Sequence, residues 1–232
     1  MRLEDAVKRR DLTINAIAFD IVKGKLCDPE NGSDDITNKR LHPVDIETFL
    51  EDPLRAVRAV QFSARLCFEP STQLLQLMRR SELTHLAPER IEMEWRKLFL
   101  RGRRPSLGLA LAQETGLDIK LFPNVVHCDD SFKALDTAAN TSRPKIASKS
   151  TGRAYALMLS LWLNRTEELA IRQTLESLKL QRNGKYPVDK KVIEAVAHRN
   201  APIAADTDLR WLSTKCELLL TLTMRHHLGD SN

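Results

Sequence analysis

The stretch Glu51-Asp52-Pro53-Leu54-Arg55-Ala56-Val57-Arg58-Ala59-Val60-Gln61-Phe62-Ser63-Ala64-Arg65 decides how the chain is read. At 3.6 residues per turn, Leu54, Val57 and Phe62 join other apolar positions on one side, which predicts a helix over 52–67. Asp52 before Pro53 suits an N-cap with proline at the first helical position. Arg55 and Arg58, one turn apart, share a face with Asp52 and Gln61. The helix thus opens with a row of carboxylate, guanidinium, guanidinium and amide. On spacing alone such a row is most often a solvated ion-pair stripe, each pair contributing roughly a few tenths of a kcal/mol. It also suits a planar polar ligand, because a carboxylate accepts from amino groups and an arginine offers two parallel donors.

The 232 residues suffice for one or two domains with a sizeable core. Lys plus Arg number 36 against 31 Asp plus Glu, a net charge of +5 that suits a polyanionic partner without requiring one. Aromatic residues make up 5%, which argues against a base-stacking sheet. Cys27, Cys67, Cys128 and Cys216 are scattered, with no CxxC pair, and read as reduced thiols. No apolar run reaches the length of a membrane span, and Met1-Arg2-Leu3-Glu4-Asp5 lacks the apolar core of a signal peptide. A cytoplasmic protein with no membrane partner is expected.

Along the chain, residues 3–18 read as one helix or two short ones. Phe19 to Asp28 carries a Lys-Gly turn between apolar residues, a hairpin signal. Asp28-Pro29-Glu30-Asn31-Gly32 reads as a turn with Gly32 at positive φ. Asp34-Asp35 opens a short helical stretch, and Arg40 to Pro43 reads as an edge strand, the last strand signal in the chain. Helices follow from Pro70, from Pro88 to Leu100, and from Leu107 to Thr115, the last closed by Gly116. Residues 124–152 read as a loose connection with a short helix over 131–139. Residues 153–182 and 188–228 read as further helices.

Four blocks fall in order: Lys8-Arg9-Arg10-Asp11-Leu12-Thr13-Ile14-Asn15; Asp28-Pro29-Glu30-Asn31-Gly32-Ser33-Asp34-Asp35; the Glu51-Asp52…Arg55…Arg58 helix; and Glu89-Arg90-Ile91-Glu92-Met93-Glu94-Trp95-Arg96-Lys97. Together they resemble the class II tRNA nucleotidyltransferases (CCA-adding enzymes) and their sister bacterial poly(A) polymerases, over residues 1 to about 125. The resemblance implies roles. Arg10 would contact the triphosphate of the incoming nucleotide, and its block, with Asp11, would help select ribose. Asp52 and Arg55 would pair with the base edge of CTP or ATP in place of a template, and Arg58 would contact nucleotide too. A further Arg usual in the family is replaced by Gln61, which cannot neutralise phosphate. The Asp28–Asp35 block would be a joint, and Glu89 and Arg90 would brace the neck, with an ion pair to the nucleotide-binding helix. Two basic clusters, Arg79-Arg80 and Arg101, Arg103 and Arg104, suit RNA phosphates as well as a solvated surface.

Family chemistry is phosphoryl transfer with Mg²⁺ held by an Asp-x-Asp pair upstream of the Arg-Arg-Asp block. This chain starts about eight residues before that block, and neither Asp34-Asp35 nor Asp129-Asp130 has the alternating pattern. Some relatives carry a His-Asp metal domain after the neck, but Leu161-Trp162-Leu163-Asn164 lacks that pair. No metal is therefore expected, whether there, at His127-Cys128-Asp129-Asp130 or at His226-His227. The expected fold is mainly α: the C-terminal part of a nucleotidyltransferase head (1–50, a partial α/β remnant), a helical neck for nucleotide recognition and RNA binding (51–125), and a helical body, degenerate HD-like or unrelated (126–232). The expected function is C and A addition, or A addition, to tRNA 3′ ends, with ATP and CTP as substrates and the chain inactive alone. The rivals are a catalytically dead nucleotide- or RNA-binding module and a poly(A) polymerase fragment. The expected partners are a tRNA or other RNA 3′ end, nucleotides, and a separate chain carrying the missing head.

Overall fold

The computed structural model describes residues 3–180 and 183–229, with side chains from residue 6 onward. Its first fifty residues hold small elements. α1 (Leu3–Lys8) leads through a 3₁₀ turn at Thr13–Asn15 to β1 (Ala18–Asp20), which pairs antiparallel with β2 (Lys25–Cys27). Gly24, at φ 61°, makes the turn that the Lys-Gly pair predicts. α2 (Gly32–Thr37) follows, its first turn capped by the Asp28 carboxylate, which accepts from the Gly32 and Ser33 amides at 2.7 and 2.8 Å. The positive φ expected at Gly32 belongs instead to Asn31, at 53°. Gly32 is required for a different reason: a Cβ there would sit 2.2 Å from the Thr13 carbonyl oxygen. β3 (Arg40–Leu41) confirms the expected strand, and α3 (Ile46–Glu51) closes the segment.

α4 (Leu54–Leu66) begins two residues later than the periodicity predicts. The N-cap is Pro53 and not Asp52, a correction of one residue, while Asp52 closes α3 and its Oδ1 accepts from the Leu54 amide at 3.2 Å. Beyond α4 the structure adds an unexpected strand, β4 (Glu69–Pro70), which pairs parallel with β3. Its two residues are too short to leave a period-2 signal. α5 (Thr72–Arg80) is capped by the Ser71 hydroxyl. α6 (Pro88–Arg101) and α7 (Pro105–Thr115) each start on proline, and Gly116 at φ 72° ends α7 as expected. α4 lies against both α6 and α7. The approach to α7 is close: a Cβ on Gly108 would come within 2.7 Å of the Val60 carbonyl oxygen.

After α8 (Leu117–Leu121), the short helix expected over 131–139 is α9 (Asp129–Asn140), and the loose connection expected around it is corrected by α10 (Ser142–Ala147). α11 (Thr151–Trp162) is buried almost all round, among α6, α9, α10, α13 (Val188–Ala197) and α15 (Leu218–Leu228). α12 (Glu168–Ser177) and α14 (Asp206–Lys215) lie outside it. A continuous core runs from Leu12 through Trp95 and Trp162 to Met224. Buried Arg143 of α10 fastens the two halves, donating to the last carbonyls of α6 at Phe99 (3.0 Å) and Gly102 (2.6 Å). The class is mainly α with minor sheet, as the sequence predicts.

Candidate nucleotide and RNA site

The N-terminal half of α4 gathers residues from distant parts of the chain. Arg55 donates through Nη1 to the Thr48 carbonyl of α3 and through Nη2 to the Arg9 carbonyl at 2.7 Å. Arg58 donates from Nε to Asp11 Oδ2 at 2.6 Å, and its Nη1 lies 3.8 Å from Glu94 of α6. Asp52 pairs with Arg90 of α6 at 2.8 Å, the ion pair expected between the fourth block and this helix. Glu89, by contrast, turns to the surface and pairs with Lys179 at 2.7 Å. The first and third sequence blocks therefore meet, and exposed Arg10 lies beside the row by chain connectivity.

Asp11 is 6% exposed and richly partnered. Burial pushes its carboxyl up, but the hydrogen bond from Asn15, the Arg58 guanidinium and the Leu12 amide outweigh that and hold it below its ordinary value. It is thus held as an anion that fixes Arg58. Glu94, 2% exposed, is matched by Lys97 at 2.8 Å as well as by Arg58.

The row itself differs from the one read in the sequence. Gln61 is only 1% exposed and faces inward, its amide donating to Glu94 Oε2 at 3.2 Å and accepting from Arg65 at 3.1 Å. It therefore replaces no phosphate-facing charge; it satisfies a buried carboxylate. The half-exposed stripe runs instead through Asp52, Arg55, Arg58, Phe62 and Arg65. The Phe62 ring, expected in the core side of the helix, has the Arg58 and Arg65 guanidinium carbons 5.5 and 5.8 Å from its centroid. Sequence reasoning missed Phe62 and Arg65 as stripe members because positions three and four after Arg58 both fall within one turn, and periodicity does not choose between them.

The two basic clusters do not form one patch. Arg79 pairs with Glu114 near the C-terminal end of α7 at 3.4 Å, with Arg80 exposed beside it. Arg101, Arg103 and Arg104 are exposed at its N-terminal end, where Arg104 reaches Asp136 at 3.5 Å and its amide bonds the Ala64 carbonyl. Eleven residues of helix separate them, roughly 15 Å.

Among the described residues no three His, Cys, Asp or Glu side chains converge to hold a metal ion. Asp35 is taken up by Thr13 (2.6 Å) and His42 (2.7 Å), and His227 bonds Ser142 at 2.8 Å. His127 lies 3.3 Å from Asp118 in an aromatic pocket. No described helix is long and apolar enough to cross a membrane.

Residues 1–42 match the family model described as "Poly A polymerase head domain", and residues 67–128 match "Probable RNA and SrmB- binding site of polymerase A". Over these residues the chain is similar to the class II tRNA nucleotidyltransferases. The Multifunctional CCA protein of Aliivibrio salmonicida is 41% identical over 130 residues, which are 53% of this chain and 31% of that protein. The Vibrio parahaemolyticus protein of the same name is 40% identical with the same coverage. The chain thus spans about a third of those relatives' length. The Bacillus stearothermophilus CCA-adding enzyme in complex with CTP superposes with a TM-score of 0.72 at 28% identity, over 100% of this chain and 56% of that one. Another CCA-adding enzyme, solved with CTP, gives 0.74 at 18% identity, a likeness of fold.

Proposed function

We propose that this chain is the nucleotide-selecting and RNA-binding portion of a tRNA nucleotidyltransferase that adds C and A, or A alone, to tRNA 3′ ends. One observation carries the reading: the Arg9–Asp11 segment is bonded onto the row on α4, through the Arg9 carbonyl to Arg55 and through Asp11 to Arg58. That contact brings an exposed guanidinium, Arg10, to a carboxylate–arginine row. In this arrangement Arg10 holds phosphate, while Asp52 and Arg55 read the amino donor and ring-nitrogen acceptor of cytosine or adenine. Arg58, anchored by Asp11, contributes charge to any nucleotide. The Arg79-Arg80 and Arg101–Arg104 clusters take RNA phosphates. The division into a head segment (1–50), a neck (51–125) and a body (126–232), and the cytoplasm as its compartment, belong to the same proposal.

The magnesium ions of the family find no fitting donor set among the described residues. Transfer of a nucleotide by this chain requires carboxylates supplied from elsewhere, and the chain alone is proposed to be inactive. A poly(A) polymerase would use the same row and differ in its RNA.

A second reading has its own support: Asp52, Arg55 and Arg58 all have internal partners, as expected of a staple fixing residues 9–11 to α4 in a module without catalysis. Calorimetric titration decides. Under the proposal CTP and ATP bind better than UTP, Arg55→Ala abolishes that preference, and Arg58→Ala weakens all three evenly. No binding at about millimolar nucleotide, or UTP bound equally well, leaves only the staple.

A further inference from the structure

One end of the helical body holds two recesses with three lining residues in common: Arg165, just past α11, and Arg199 and Asn200, just past α13. The larger, about 200 Å³, has an apolar wall of Ile171 on α12 and Ile193 and Val196 on α13. The smaller, about 100 Å³, adds Asp130 of α9 and Asn164. The polar groups here are largely uncommitted. Asn164 is 2% exposed, and its Nδ2 donates to the Ser131 hydroxyl and the Leu161 carbonyl, each at 2.6 Å. Its Oδ1 has no hydrogen bond among the described residues. Arg199 donates from Nη1 to the Asn164 carbonyl, ordinary work for an arginine at a helix C-terminal end, and keeps its other donors for the recess. Arg165 is exposed and has not even that bond among the described residues. Glu168 is taken by Arg172 at 2.6 Å. Asp130 forms no ion pair among the described residues, and neither does Glu167, the N-cap of α12, which makes no capping bond; Arg165 and Arg199 likewise have no carboxylate partner there.

The lining thus offers both signs of charge side by side without pairing them. Its carboxylates oppose a phosphate or another bare anion, and its guanidinium groups oppose a bare cation. A molecule that carries both signs satisfies each: its carboxylate takes parallel donors from a guanidinium, and its ammonium gives to Asp130 and to Asn164 Oδ1. Both recesses are smaller than the roughly 300–1,000 Å³ of pockets for drug-sized ligands, which leaves out a nucleoside triphosphate. The apolar wall calls for a hydrocarbon side chain. We propose that this recess binds a free α-amino acid with a branched apolar side chain. Its carboxylate lies on Arg165 and Arg199, its ammonium on Asp130 and Asn164, and its side chain against Ile171, Ile193 and Val196. The site belongs to the body, outside the residues that match either family model, and the proposal stands independently of the nucleotide reading.

Calorimetric titration of the full chain with L-leucine, N-acetyl-L-leucine, L-leucinamide and inorganic phosphate tests the site. Leucine should bind with a Kd of about 1 mM or below. N-acetyl-leucine lacks the ammonium and leucinamide lacks the carboxylate, so each should bind at least about tenfold more weakly. Arg165→Ala removes an exposed side chain with no internal partner among the described residues. It should weaken leucine by about tenfold or more and leave the melting temperature unchanged. Asp130→Asn, also at an exposed position, should weaken leucine to a similar degree and gives a second reading that does not depend on the arginine. Absence of leucine binding at about 10 mM, equal binding of leucine and both blocked derivatives, or binding indifferent to both substitutions overturns the proposal. Phosphate bound in place of leucine, and lost in Arg165→Ala, overturns it as well, because the recess is then a site for a bare anion.

Discussion

α6 separates two regions that treat polar atoms in opposite ways. On the α4 side, Glu94 of α6 meets Arg58, Lys97 and Gln61, and each charge of the row has a partner near water. On the α11 side, Trp95 and Phe99 of α6 meet Trp162, with Phe122 and His127 completing an aromatic cluster. There Trp95 Nε1, Trp162 Nε1, His127 Nδ1 and Asp118 Oδ1 are buried with no hydrogen-bond partner among the described residues. Half-exposed ion pairs are individually weak and exchange partners cheaply, so the first region can trade an internal contact for a ligand. The second gains from dispersion and burial and tolerates its unpaired atoms, so it holds geometry and exchanges nothing.

The sharpest way to break this contrast is Trp162→Ala. The side chain is 1% exposed and touches four aromatic rings, so its removal should cost about 3–5 kcal/mol, read by urea denaturation. Under conditions where the variant is folded, nucleotide affinity should be unchanged. A parallel loss of affinity would mean that the aromatic side shapes the row.

The same contrast governs what the sequence disclosed. α4 was legible because its inner face is Leu54, Val57 and Val60 and its outer face is charged, a period that needs no tertiary knowledge. What lay between the faces was not: Gln61 is buried because Glu94 offers its amide a partner, and Phe62 packs at the core's edge, half-exposed beside two guanidinium groups. α9 reads as a short helix over 131–139, although its signal is weak. Its buried residues are Ser131, Ala134, Leu135, Ala138 and Ala139, small groups that pack closely but give a weak apolar signal. α10 was masked by Pro144, which reads as a breaker yet sits in the first turn, where its missing N–H has no intrahelical partner to lose. The meeting of Arg9–Asp11 with α4 spans 46 and 47 residues and leaves no local trace, so only the family resemblance anticipated it.

Arg58→Ala is the matching attack on the polar side. It strips Asp11 of its cationic partner and Glu94 of one of several, while Asn15, Lys97 and Gln61 remain. A loss of about 1–3 kcal/mol is expected, smaller than at Trp162, together with evenly weakened binding of all nucleotides. Arg58→Lys should recover part of the stability. A neutral Arg58→Ala would show that the pair with Asp11 is dispensable.

Acid should separate the two regions by pH. Burial holds the His127 imidazole below its ordinary value, against the pull of Asp118, so the folded chain resists a proton that the unfolded chain takes up near pH 6.5. Stability is then full above that value and falls as pH drops below it, by at most about 1.4 kcal/mol per pH unit for one group. His227, also lowered by burial and by His226, adds a slope of the same sign, so His127→Gln should remove part of the decline. Asp11 has the opposite chemistry and a later window. Its folded value is lowered, so its contribution persists above about pH 4 and disappears only as pH falls through the folded value. Denaturation midpoints followed from pH 8 to pH 3 should therefore decline in two stages, the first weakened by His127→Gln and the second by Asp11→Asn. A single stage would merge the two regions.

The smallest effects belong to the basic clusters, which lie outside both regions. Each presents exposed guanidinium groups from one end of α7, and each already has a nearby carboxylate, Glu114 or Asp136. A phosphate must compete with those acids, so only a few contacts are expected. If about three phosphates are engaged, log K for a single-stranded RNA should fall against log salt with a slope near −2. Replacing Arg79 and Arg80 by Ala, or Arg101 and Arg103 by Ala, should each reduce that slope by about 1 without changing sequence preference. The ends of α7 are roughly 15 Å apart, so the two double substitutions share no partner and should add. Filter binding across a salt series reads both numbers. A slope that only one pair changes would assign the RNA track to one end of α7, and if that end is Arg101–Arg104 the track continues from the Ala64 end of α4 toward the row itself.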